Sequence, residues 1–146
     1  MVYGRNMPCD EFDITSNEQY IKCSGSGCDV DSVMAYKKAE LMAKQLIVGQ
    51  IQTLLHATTT IYLKNTTSKS VETESSLKSR IATLSQGILI GAEVFCYQTT
   101  RNKENKFEST IGVQIPISNI ITNLTYDSTL VDWNLYKRIL LTEILK

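Results

Sequence analysis

The chain has one histidine, two prolines and one tryptophan in 146 residues. A single histidine, His56, excludes a multi-histidine metal centre. It also leaves little from which to build a histidine acid–base pair. A surplus of either charge is missing: fifteen Lys and Arg balance fifteen Asp and Glu. Without a basic excess the sequence has no footprint for nucleic acid or for an anionic membrane face. Long apolar runs are missing too. Stretches such as Ile139, Leu140 and Leu141 fall far short of the ~20 residues that cross a bilayer. The opening MVYGRNMPCDEF carries no apolar core of a secretory signal, so either the protein stays where it is made or this chain is a mature or trimmed form.

What is present is globular composition, 42% hydrophobic and 21% charged, enough for one domain with a real core. Residues 1–17 are polar and aperiodic and read as an N-terminal arm. Residues 18–146 read as a single α+β domain.

Within it, residues 19–24 alternate Tyr20 and Lys22 against Ile21 and Cys23, as a half-buried strand does. Gly25 to Gly27 are expected to break that strand. Asp31 or Ser32 can cap a helix over 33–56. Its apolar stripe is Ala35, Ala39, Met42, Ala43, Leu46, Ile47, Ile51 and Leu54, and the alanines allow a close seat on a sheet. Leu41 and Val48, seven apart, fall on the opposite face, with Met34 and Leu55 prolonging the row. Either another element of the chain covers this row or a second subunit does.

Residues 57–65 are dense in Thr, Ile and Tyr and are expected as a strand. A short amphipathic helix follows over 75–85, on Leu77, Ile81 and Leu84. The segment 87–98 alternates Ile88, Ile90, Ala92, Val94 and Cys96 against Leu89, Glu93, Phe95 and Tyr97. The segment 106–117 answers it, with Phe107, Ile111, Val113, Ile115 and Ile117 inward. Residues 99–105 form the hairpin loop, and Pro116 ends the second strand or lies at an edge. A C-terminal helix over 129–145 presents Leu130, Trp133, Tyr136, Ile139, Leu140, Ile144 and Leu145, too broad an apolar surface to leave in water. The expected fold is therefore an antiparallel or mixed sheet with a long helix on one face, in the order β-α-β-α-β-β, plus a C-terminal helix.

No catalytic, cofactor or metal constellation accompanies this pattern. His56 reads as a helix-terminal residue placed favourably against the dipole. Four cysteines, Cys9, Cys23, Cys28 and Cys96, give at most one closely spaced pair, and zinc usually takes two. Cys23 and Cys28 flank Ser-Gly-Ser-Gly, so they either close a small disulfide loop or are unrelated thiols. Cys96 reads as a small core hydrophobe. The turn-like Ser24-Gly25-Ser26-Gly27 lacks the residues that complete a phosphate-binding loop. Asn65-Thr66-Thr67 and Asn123-Leu124-Thr125 match glycosylation sequons, which matter only in a eukaryotic secretory source.

The string YIKCSGSG, the helix AYKKAELMAKQLI, the segment ATTTIYL, and GILIGAEVF paired with FESTIGVQIPI together resemble a bacterial family. It is the family of small outer-membrane lipoproteins typified by the twenty-kilodalton surface lipoprotein, which the flagellar FlgP and the N-terminal domain of FlgT resemble too. The resemblance spans residues 20–118 and rests on helix alanines and on Gly87 and Gly91. It implies a non-enzymatic module that builds rings or sheets in the bacterial cell envelope, in the periplasm or at the outer membrane. Its partners would be copies of itself and other envelope proteins, with no cofactor and with a membrane reached only through an anchor not visible in this sequence. The expected contact residues are Leu41, Val48, Trp133, Tyr136 and Ile139. A peptide- or ligand-binding module and a component of a phage particle are the alternatives.

Overall fold

The computed structural model describes residues 9, 15–17, 19–65, 91–125 and 132–146, with Ser75, Lys78 and Ser79 besides; for 123–125 it gives the backbone alone. Strand β1 (Tyr20–Asp29) leads into helix α1 (Ser32–Asn65). Strands β2 (Glu93–Arg101) and β3 (Phe107–Pro116) form a hairpin, and helices α2 (Ile117–Thr125) and α3 (Trp133–Ile144) follow. The sheet is antiparallel throughout, in the order β1-β3-β2. This is the expected α+β fold: a sheet, a long helix on one face and a C-terminal helix.

β1 does not stop at its glycines. It runs on to Asp29, paired with β3 through Gly25 and Gly27. These two residues sit against α1 so closely that a Cβ on Gly25 would lie 2.8 Å from the Ala39 carbonyl oxygen, and one on Gly27 2.6 Å from the Ala39 nitrogen. Glycine is required here by the approach of a helix backbone, not by a turn. Ala35, Ala39 and Ala43 are its counterparts on α1 and are fully buried.

α1 begins where the sequence signals it. Asp31 Oδ1 accepts the Val33 amide at 3.0 Å, and the Asp31 carbonyl takes the first helical bond from Ala35. It continues far past residue 56, however, so the expected strand over 57–65 is helix and His56 lies mid-helix and exposed. Thr53, Thr58 and Thr60 turn their hydroxyls back onto the carbonyls of Gly49, Leu54 and His56. That satisfies the side chain within the helix. Leu55, Thr58, Thr59 and Tyr62 are buried at three-and-four spacing, and Tyr62 and Thr59 meet Tyr136 of α3. Packing against α3 therefore overrides the strand propensity of threonine.

In the hairpin, Ile111, Val113 and Ile115 face α1 as expected and are buried. β2 departs from simple alternation. A bulge at Phe95 lets Val94 pair with Val113 and Cys96 with Gly112, so the inward residues are Val94 and Tyr97 while Cys96 turns to the outer face. Gly91 is helical and β2 starts at Glu93, later than expected. Pro116 closes β3, and the Ile117 amide bonds the Gln19 carbonyl at 2.9 Å. α2, on Ile117, Ile120 and Ile121, was not anticipated. The expected helix over 75–85, on Leu77, Ile81 and Leu84, the strand start at 87–90 and the turn before α3 with Leu130 lie outside the described residues. Of the first of these, Ser75, Lys78 and Ser79 are helical.

The described residues of the N-terminal arm are tied to the sheet. Ser16 Oγ accepts the Lys22 amide at 3.0 Å, and Cys9 is bonded to Cys96 across the outer face of the sheet.

Candidate functional site

The disulfide corrects the cysteine assignment. Cys9 and Cys96 are joined with their Cα atoms 5.1 Å apart, while Cys23 and Cys28 are free. The reason is strand geometry. Five residues apart on one extended strand, Cys23 and Cys28 are separated by roughly 17 Å and point to opposite faces. Cys23 faces α1 and donates to Gln50 Oε1 at 2.6 Å, and burial raises its thiol pKa. Cys28 is exposed and accepts from Asn102 Nδ2 at 3.4 Å.

The residues expected to make contacts divide into three groups. Leu41 stands out from α1 at 59% exposure. Val48, Trp133 and Ile139 are half-buried and rest against the protein's own core. Tyr136 is a core residue at 1% exposure, its hydroxyl 3.0 Å from Thr59 Oγ1 and 3.4 Å from the Leu55 carbonyl. Burial pushes its pKa up to about 12. Tyr136 is thus corrected from a contact residue to an internal one, because α3 docks on the C-terminal half of α1. Trp133 packs edge-on to Tyr136, its buried Nε1 finding no hydrogen-bond partner among the described residues.

Two of the apolar residues that remain open fall where the helical period places core. Met42 is 45% and Leu46 48% exposed. With Met34 and Leu41 they leave the crown and one flank of α1 greasy, while Val33, also exposed, lies on the other flank beside Tyr36. Closeness explains this. The glycine–alanine contact presses α1 so near β1 that flanking long side chains have no room underneath. Reading Gly25-x-Gly27 against Ala35, Ala39 and Ala43 as a pair of facing small surfaces would have revealed it.

Lys38 lies on the same flank, its Nζ 2.8 Å from Asp29 Oδ2 and 3.3 Å from the Cys28 carbonyl. This pairing holds the Asp29 carboxyl below its ordinary range. Elsewhere, a groove of about 930 Å³ opens between the end of the sheet and the last two helices, lined by Tyr20, Ile117, Ile121, Leu141 and Leu145 with Lys137 as a cation.

Among the described residues no group of three or more His, Cys, Asp or Glu could hold a metal, and no helix is long and apolar enough to cross a membrane. Set against known proteins, the chain matches no family model, no curated protein and no solved structure.

Proposed function

We propose that this chain is a non-enzymatic structural module that assembles with copies of itself, as a ring or sheet in a bacterial cell envelope. The observation that carries the reading is the set of exposed large apolar residues on α1, Met34, Leu41, Met42 and Leu46. A set of that kind in a protein of this size favours a partner surface. The disulfide supports an oxidising compartment such as the periplasm. The envelope-lipoprotein resemblance points the same way, although one of its segments, ATTTIYL, is helical here. Sedimentation velocity on the purified chain tests the reading. The expected result is a concentration-dependent oligomer, and a strict monomer at the highest attainable concentration overturns it.

The second reading, a ligand- or peptide-binding module, draws on the groove beside Lys137. It predicts a saturable thermal shift with an amphiphilic anion such as a fatty acid.

A further inference from the structure

We infer that two copies join edge to edge through β1, continuing the sheet, while their α1 helices pack side by side through Met42 and Leu46. The inference rests on the self-assembly reading above and specifies its contact.

Among the described residues the sheet order leaves β1 as an edge strand. Its even-numbered residues turn their backbone groups to the open side: the Lys22 amide meets Ser16 Oγ there, and the Cys28 carbonyl meets Lys38 Nζ. Between these two points lie Ser24 and Ser26. Among the described residues nothing bonds their edge-facing amides and carbonyls. An unpaired edge of this kind accepts another strand readily.

The flank of α1 above that edge is the apolar one. Lys38 marks it, since its Nζ reaches the edge-facing Cys28 carbonyl. One helical turn on along the same line comes Met42, and another turn gives Leu46. Tyr36 points the other way, its ring 5.6 Å from Tyr97 on β2. Met42 and Leu46 therefore overhang the open strand. Gly25 lies against Ala39 and Ala43, so a two-fold axis at Gly25 brings Met42 against its own counterpart. Adjoining strands lie about 4.8 Å apart. Because α1 also covers β3, its axis sits inward of β1, which moves two such helices apart toward the roughly 8–10 Å of packed helices.

A second copy fits this face better than an unrelated strand. Antiparallel edges of one sequence exchange donors and acceptors reciprocally. The flank carries a single charge, Lys38, already matched by Asp29, and the chain has no net charge. Self-contact therefore brings no unpaired like charges together. The open stretch from Lys22 to Cys28 is about 20 Å long, and with a depth of roughly 20 Å it covers about 400 Å² per copy, the size of a weak, concentration-dependent contact.

The test combines sedimentation velocity with amide hydrogen exchange on the intact chain. The wild type is expected to dimerise, with the Ser24 and Ser26 amides exchanging at least tenfold more slowly in the dimer than on dilution. Met42→Lys/Leu46→Lys, at exposed positions that leave the circular dichroism unchanged, is expected to weaken dimerisation at least tenfold. Leu41→Lys, on the crown of the helix, is expected to leave it within threefold. A wild-type monomer overturns the assembly reading and this inference together. A dimer whose Ser24 and Ser26 amides exchange at the dilute rate, or one that survives Met42→Lys/Leu46→Lys but not Leu41→Lys, overturns edge pairing alone and leaves self-assembly standing.

Discussion

A methyl group on Gly25 would lie 2.9 Å from the Cα of Ala43. What it meets is helix backbone, which cannot swing aside as a side chain can. Gly25→Ala must therefore push α1 off the sheet and loosen Ile47 and Ile111, both fully buried. The expected cost is about 3 kcal/mol, at the upper end for overpacking, read as a lower urea midpoint. Gly49 offers the contrast, since nothing lies within 4 Å of a Cβ added there. Gly49→Ala, in mid-helix, is expected to stabilise by about 1 kcal/mol. Equal effects at the two sites would contradict the close seat of β1 on α1.

The cysteine arrangement makes a separate prediction. The Cys9–Cys96 bond spans 87 positions, for which chain entropy gives about 4.5 kcal/mol of stabilisation. Reduction should lower the urea midpoint by a comparable amount. In the native, unreduced protein one thiol, Cys28, should react rapidly with an aromatic disulfide reagent. The second, Cys23, should react slowly, because it is half-buried, bonded to Gln50 and raised in pKa. Four reactive thiols without reductant would rule out the bond.

Much of this fold was readable from residues, and what was not has physical causes. Asp31, the alanine stripe and the inward set of β3 came from local rules: a cap, a period of 3.6 and a period of two. The Thr58–Thr60 segment failed because local propensity cannot see Tyr136, nearly eighty residues away, which packs against it. Cys9 failed similarly. Nothing near it in sequence identifies a partner on β2, and the bulge at Phe95 that turns Cys96 outward is set by pairing with Gly112. Met42 and Leu46 satisfied helical spacing perfectly well. They are exposed because the glycines of a different element narrowed the buried face. The edge strand itself was legible only as an alternating string; that no described strand lies beyond it follows from the strand order, a non-local fact.

Tyr136 links stability to alkaline pH. Its folded-state pKa is raised to about 12 from 10.0, so the folded chain keeps a proton that the unfolded chain releases. Its contribution is whole below the unfolded value and is lost as pH climbs from 10 toward 12, at about 1.4 kcal/mol per unit and about 2 to 3 kcal/mol in all. Urea titrations at stepwise rising pH should show this decline. Tyr136→Phe should remove that part of it while costing about 1 to 2 kcal/mol at neutral pH, since Thr59 Oγ1 loses its buried partner. An unchanged pH profile in the variant would place the titrating group elsewhere.

The continuous α1 can be tested through the sign of one substitution. Thr60 is exposed, and its hydroxyl bonds back to the His56 carbonyl. In a helix, Thr60→Ala removes a β-branched residue with poor propensity and should stabilise by about 0.5 kcal/mol. In a strand the same change trades a favoured residue for a depleted one and should destabilise by up to about 1 kcal/mol. Thr60→Pro sharpens the comparison. It deletes an interior helix bond and drives the ring into the preceding turn, for a loss of about 3 kcal/mol or more. Because Tyr62 also holds the Asp132 amide at 3.0 Å, a break at residue 60 should free the start of α3 as well. Raised hydrogen exchange at both Tyr62 and Leu135 would report that coupling, and a stabilising alanine with a severely destabilising proline is the pattern that only an unbroken helix produces.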